Sequence, residues 1–234
     1  MATLILLPGL AGDARMWRAQ VDGLAFYAPV VTDVHARHDS IPEMAAALLR
    51  EHPGPLVLVG ASMGGMVAME AARQGGDRVL GLALLGTDPN PESAEMRALR
   101  EAAIELFAQG RAAEVIEPNV GLAFHPDHAR DPVLVRAYLD FVLGAGAEAL
   151  IRQNRAVIAR PDAREHLPWL RCPVLVMCGE TDQLTPLARS EEILGLCQSA
   201  RLIVVPGCGH MLTMESPQLV NAALGEWLES VISA

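Results

Sequence analysis

Residues 56–72, LVLVGASMGGMVAMEAA, set one serine where a nucleophile belongs. Leu56, Val57, Leu58 and Val59 make a short, continuous apolar run, as expected of a strand buried on both faces of a parallel sheet. Gly60-Ala61-Ser62-Met63-Gly64 follows, and then an Ala/Met-rich stretch of helix-forming composition runs to Gln74 and is closed by Gly75-Gly76. This order predicts strand, sharp turn and helix, with Ser62 at the tip. Lacking Cβ atoms, Gly60 and Gly64 let strand and helix approach closely around a strained serine backbone. The hydroxyl is then held out of the sheet, at a helix N-terminus whose amides and dipole favour a developing anion.

A serine hydroxyl is a poor nucleophile at neutral pH; it needs a base, and the base needs an orienting acid. Residues 174–178, VLVMC, read as another buried strand, with Gly179-Glu180-Thr181-Asp182 at its carboxyl end. Residues 201–205, RLIVV, read as the next, followed by Pro206-Gly207-Cys208-Gly209-His210. An acid and a histidine just past the C-terminal edges of two strands sit where open α/β sheets build their sites. Asp182 is therefore the expected acid and His210 the expected base. A rival acid is Asp88, which follows the apolar run 79–85, VLGLALL, after Gly86-Thr87. Its other readings are a loop aspartate before Pro89 or a wall of the substrate pocket.

Together these segments resemble the α/β-hydrolase fold superfamily, specifically its small lid-bearing carboxylesterases and lactonases. The resemblance covers nearly the whole core: TLILLPGLAGDARMW, VLVGASMGGMVAMEAA, VLVMCGETDQLTP and LIVVPGCGHMLTMESP. It implies an oxyanion hole made by the backbone N–H groups of Leu10 and Met63, a role that does not depend on side-chain identity. Two departures stand out. Pro8-Gly9 replaces the usual His-Gly, so a side chain that would orient the Leu10 loop is missing. After Asp33, where many relatives have a glycine-rich turn, the chain reads Val34-His35-Ala36-Arg37-His38-Asp39-Ser40, so that mouth of the pocket is expected to differ in shape.

The elements that must hold these groups are legible from periodicity. Strands are expected near 3–7, 29–33, 56–60, 79–85, 174–178 and 201–205, with helices near 42–51, 64–74, 186–197 and 217–231. Such alternation predicts an α/β fold: a mostly parallel, six-stranded sheet with helices on both faces. Residues 89–165 break the rhythm, with helix-like segments at 92–109, 111–117, 132–143 and 146–159 and no convincing strand. The expected division is a core of residues 1–88 and 166–234 with a helical lid, 89–165, inserted in it. Lid faces carry Met96, Leu99, Leu106, Phe107, Leu122, Phe124, Tyr138, Phe141 and Val142, most of which should simply pack the lid onto the core. Trp17, Asp88, Phe124, Phe141 and Met211 are the expected pocket residues, Trp17 and Met211 because they lie near the oxyanion loop and the histidine.

Composition narrows the chemistry. At 234 residues the chain is long enough to bury one sizeable core. Lysine is absent and all 18 basic residues are arginine, which excludes Schiff-base chemistry and any lysine acid or base. A formal charge of −10 without a basic stripe argues against nucleic-acid or anionic-membrane partners. No apolar run approaches the roughly 20 residues needed to span a bilayer. The start, Met1-Ala2-Thr3, carries no basic leader, and Cys172, Cys178, Cys197 and Cys208 lack zinc-like spacing, so a reduced, cytoplasmic enzyme is expected. His35, His38, His125 and His128 read as loop residues; no metal and no cofactor is expected.

The reading is a serine hydrolase that cleaves small carboxylic esters through Ser62, His210 and Asp182. Enol-lactonase, carbon–carbon bond hydrolase, thioesterase and cofactor-free perhydrolase chemistry would use the same three residues. A non-catalytic ligand receptor on this fold is a further alternative. Serine at the elbow disfavours dehalogenase and epoxide-hydrolase chemistry, whose members place aspartate there.

Overall fold

The apolar runs read as strands lie in one sheet. The computed structural model describes residues 2–232 and contains β1 (Thr3–Leu7), β2 (Val30–Val31), β3 (Leu56–Ala61), β4 (Val79–Leu85), β5 (Val174–Gly179) and β6 (Ala200–Val205). They lie in the order β2-β1-β3-β4-β5-β6, each pair parallel, so all six carboxyl ends share one edge. Leu58 of β3 stands opposite Ile5 of β1 and Leu82 of β4.

Side chains alternate between the two faces, and both are buried. Leu4, Leu6, Val57, Val59, Ala83, Leu85, Leu175 and Met177 meet the helix Pro217–Ile232 through Val220, Leu224, Trp227 and Leu228. Ile5, Leu7, Leu56, Leu58, Leu82, Leu84, Val174 and Val176 meet the helices Ile41–Glu51, Met63–Gly75 and Leu187–Leu196. Burying each such side chain favours folding by about 1.5–3 kcal/mol. Two-sided burial explains why the strands read as continuous apolar runs.

Two local expectations are corrected. β2 has two residues instead of the five expected at 29–33: Pro29 has no amide to give the ladder, and the chain leaves the sheet at Asp33. Residues 34–37 are not an open polar loop but one turn of helix, Val34–Arg37, with Val34 and His35 buried. Arg37 closes this turn outside, bonding Asp33 at 2.9 Å and Glu51 at 2.8 Å.

Between β4 and β5 the described chain is helical, with Ala94–Ala108, Ala112–Ile116, Val120–Ala123, Pro132–Val142 and Gly146–Ile158. Ser93 caps the first by accepting from the Met96 amide at 3.1 Å, and Gly110, at φ +76°, lets the chain turn after it. Asp131 accepts from the Val133 amide at 2.8 Å ahead of Pro132, a rigid first-turn residue. Among the described residues no helix is long and apolar enough to cross a membrane.

Candidate active site

Ser62 sits between β3 and the helix Met63–Gly75 with φ +53° and ψ −120°, a conformation L-residues rarely adopt. It persists because its surroundings fix it. Its amide donates to Leu85 O at 2.9 Å, and its carbonyl accepts from the Gly65 amide at 2.9 Å and from Thr87 Oγ1 at 2.7 Å. A Cβ on Gly64 would collide with the Leu7 carbonyl, and one on Gly60 with the Gly64 carbonyl, so both positions require glycine. β1, β3 and β4 thus together hold the elbow.

Asp182 and His210 leave the neighbouring strands β5 and β6 and meet, with His210 Nδ1 2.8 Å from Asp182 Oδ2. Oδ2 also accepts from Thr185 Oγ1 at 2.8 Å, while Oδ1 accepts from the Leu184 and Thr185 amides, each at 2.9 Å. Burial by itself would raise the Asp182 pKa, but the His210 charge and hydrogen bond and the Thr185 donors outweigh it, holding the carboxyl below its ordinary value. An ionised carboxylate only accepts, so the imidazole proton belongs on Nδ1 and Nε2 is left with a lone pair.

The histidine loop is itself anchored. Glu215, whose side chain is fully buried, accepts from the Gly209 and Met211 amides at 3.0 Å, from the His125 amide at 2.7 Å and from His128 Nδ1 at 2.9 Å. The amides on either side of His210 are therefore tied to one carboxylate, and through it to the helical segment between β4 and β5. An acid five positions beyond the histidine of a glycine-rich loop is the sequence signal that points to Glu215.

Before Ser62 in the chain, the loop after β1 packs directly on it at Gly9. Its Gly9 amide donates to Met16 Sδ at 3.4 Å, Ala11 to Gln153 Oε1 at 2.7 Å and Gly12 to Gly9 O at 3.0 Å. Among the described residues the Leu10 amide has no such acceptor.

Ser62, His210, Leu10 and Met63 line one cavity of about 270 Å³. Its apolar wall includes Met16, Met66, Met96, Phe141, Val157 and Met211, and its polar wall Arg100, Tyr138 and Thr185. Burial pushes the Tyr138 phenol up to about 12, so at neutral pH it stays a hydrogen-bond donor. Arg100 bonds Glu92 through Nε at 2.5 Å and Asn154 through Nη1 at 2.9 Å.

Of the expected pocket residues, Phe141 and Met211 line this cavity and three do not. Trp17 is completely buried in the core beneath, packed among the apolar residues of one sheet face. Phe124 is also fully buried, edge-on to Tyr138 at 5.3 Å, with its backbone against Gly209. Asp88 turns away from the cavity: its carboxylate lies 3.5 Å from Arg160 and 3.7 Å from Arg189 and accepts from the Asn90 amide at 2.9 Å. At the end of β4 it is Gly86, not Asp88, that packs against Asp182 and His210. Arg100, Met16, Met66, Thr185 and Glu215 were not reached by sequence reasoning.

The chain belongs to the alpha/beta hydrolase family, whose sequence model matches residues 4–223. It is 28% identical over 247 residues to the 2-succinyl-6-hydroxy-2,4-cyclohexadiene-1-carboxylate synthase of Escherichia fergusonii, covering 96% of this chain and 93% of that one. It is 25% identical over 257 residues to the biotin biosynthesis bifunctional protein BioHC of Cellvibrio japonicus; the match takes in 99% of this chain but spans 48% of that protein's length. Among solved structures it is similar to a thermophilic esterase from Thermogutta terrifontis with malate bound, at a TM-score of 0.92 and 28% identity over 99% of this chain and 90% of that one. It also shares the fold of the enol-lactonase from Burkholderia xenovorans LB400, at a TM-score of 0.87 and 21% identity over 97% and 92% of the two chains.

Proposed function

We propose that this protein is a serine hydrolase of small carboxylic esters, acting through Ser62, His210 and Asp182 by an acyl-enzyme. The observation that carries this reading is the 2.8 Å contact between His210 Nδ1 and Asp182 Oδ2 in a wall of the cavity that also holds the strained elbow of Ser62. The likeness to the Thermogutta esterase supports the ester class.

In this mechanism Ser62 Oγ attacks the ester carbonyl as His210 Nε2 takes its proton. Asp182 holds the imidazole tautomer and stabilises the imidazolium. The Leu10 and Met63 amides donate hydrogen bonds to the carbonyl oxygen as negative charge develops on it. His210 returns the proton to the leaving alcohol, and a water activated by the same Nε2 then hydrolyses the acyl-serine. The step needs no metal and no cofactor. Residues 89–165 act as a lid, excluding water and shaping the acyl pocket through Met96, Tyr138 and Phe141.

A fluorophosphonate probe tests the reading. It should label Ser62 stoichiometrically, and Ser62→Ala should abolish both labelling and hydrolysis of p-nitrophenyl esters. Labelling at a different serine, with activity kept in Ser62→Ala, would sink it.

A second reading is favoured by Arg100. A guanidinium in the cavity wall, with Nη2 lacking an acceptor among the described residues, suits a substrate that carries a carboxylate. The relative named 2-succinyl-6-hydroxy-2,4-cyclohexadiene-1-carboxylate synthase points the same way, since its name is that of an enzyme acting on a carboxylate. Monoesters of dicarboxylic acids assayed beside neutral esters separate the two readings. Under the second, Arg100→Met should raise KM for the acidic substrates alone.

A further inference from the structure

We propose that Gln153, together with His35, is a positioning residue for the oxyanion-hole amide of Leu10, so that the helix Gly146–Ile158 forms part of the oxyanion hole. The inference rests on the serine hydrolase reading above and goes beyond it in naming what orients the donor.

The problem is set by the sequence. Pro8 stands where a histidine side chain would orient the loop, and a proline ring can make no hydrogen bond of that kind. Ala11 adopts φ +58°, a left-handed conformation that a non-glycine residue holds only under external constraint.

The constraint comes from two distant parts of the chain. Gln153 is buried, and its amide reaches both ways: Oε1 accepts from the Ala11 amide at 2.7 Å, and Nε2 donates to His35 O at 3.1 Å. The His35 ring is buried as well, with Nε2 2.8 Å from Gly12 O. A carbonyl only accepts, so Nε2 carries the proton and donates. Burial lowers the His35 pKa, which keeps the ring neutral with its single proton on that bond. Next to Gln153, Arg152 donates to Ala36 O, tying the same helix to the same turn.

Gln153 and His35 therefore grip Ala11 and Gly12, and Met16 Sδ grips Gly9. Leu10, between these fixed points, has an amide without an acceptor among the described residues, and it is left for an oxygen from outside the protein. Donor placement matters steeply, because a shift of the order of 1 Å at a reacting group costs about 100-fold in rate. Both departures from the family pattern, at Pro8 and at residues 34–40, become one arrangement: the turn that carries His35 replaces the support that position 8 lacks.

The test compares the wild-type protein with Gln153→Met, which keeps side-chain length and removes both bonds, and with Ile158→Val on the same helix as a control for helix stability. Expected for Gln153→Met are a fall in kcat of about 10- to 100-fold, little change in KM, and a parallel loss of affinity for an alkyl trifluoromethyl ketone, whose serine adduct carries the oxyanion. Amide exchange in residues 8–17 should rise in the same variant. Ile158→Val, assayed at the same number of degrees below its own Tm, should keep its kcat and ketone affinity. The proposal is overturned if exchange in residues 8–17 is unaltered, or if kcat follows Tm equally in both variants. A wild-type protein that hydrolyses no ester and takes no label at Ser62 overturns the hydrolase reading instead; the exchange measurement then still decides whether Gln153 holds the loop.

Discussion

Asp182, and not Asp88, faces His210: Asp182 Oδ2 stands 2.8 Å from Nδ1, while the Asp88 carboxylate lies among Asn90, Arg160 and Arg189. The two aspartates should therefore behave differently when each is replaced by asparagine. Asp182→Asn should reduce kcat by about 10⁴-fold, because the amide stabilises the wrong tautomer of the histidine. Asp88→Asn should leave kcat within a few-fold of wild type. Steady-state kinetics on one p-nitrophenyl ester checks both, and the reverse order would move the acid to β4.

The same aspartate sets part of the acid limb of stability. Its carboxyl is held below the ordinary aspartate value of about 4. The stabilisation is present at neutral pH and is lost as pH falls through the ordinary value and then the lowered one, because over that window the unfolded chain takes up the proton and the native state does not. Urea denaturation at pH 7 and pH 3 should show wild-type stability declining more steeply than that of Asp182→Asn. Equal slopes would mean that the carboxylate is not stabilised by folding.

Much of this molecule is legible in its sequence, for a physical reason. Strands buried on both faces admit only apolar residues, so β1, β3, β4 and β5 stand out as runs; the turns after β3 and β5 carry Ser62 and Asp182, and the turn after the apolar edge strand β6 carries His210. The helices between β4 and β5 are legible as helix-like segments punctuated by Gly110, Pro118 and Gly144-Ala145-Gly146. What was not legible depends on direction. Trp17 and Phe124 are near the site in sequence, but their rings point into the core. Gln153 contacts Ala11 across most of the chain, and nothing in local periodicity marks that pairing.

Removing the Glu215 carboxylate should destabilise the fold as well as the loop. Glu215→Ala leaves the Gly209 and His125 amides without their acceptor in a partly buried setting, at about 1–3 kcal/mol for each group that stays unsatisfied, while Met211 keeps its bond to Ala123 O. A fall in Tm of several degrees is expected from thermal denaturation, with Glu215→Gln falling less because its amide oxygen still accepts.

Backbone strain at Ser62 makes an opposite prediction. A residue held at φ +53° costs about 1–3 kcal/mol, and glycine is free of that cost. Ser62→Gly should be inactive yet melt a few degrees higher, at about 2–4 °C per kcal/mol for a chain of this size. A lower Tm would mean that the serine side chain contributes more to packing than its backbone costs.

Cavity size bears on the substrate. At about 270 Å³ it lies below the usual range of roughly 300–1,000 Å³ for ligand pockets. Each added CH₂ favours binding by about 0.8 kcal/mol until the space is filled, after which clashes take over. On p-nitrophenyl esters kcat/KM should peak at short acyl chains, roughly C2 to C6. An optimum at C12 or beyond would require a much larger opening beneath Tyr138 and Phe141.

The sheet order also has a consequence for how the chain is made. β4 lies between β3 and β5, yet residues 86–173 must be synthesised before β5 begins. At about 5–20 residues per second, the far edge of β4 waits on the order of ten seconds for its partner after leaving the ribosome. That edge carries Leu82, Leu84 and Leu85, an apolar strand with unpaired backbone groups, and such edges invite pairing with other chains. The helices made in the interval cannot satisfy it, because only a strand completes the ladder. Aggregation during expression should therefore begin at β4, and slower translation of residues 86–173 should worsen it.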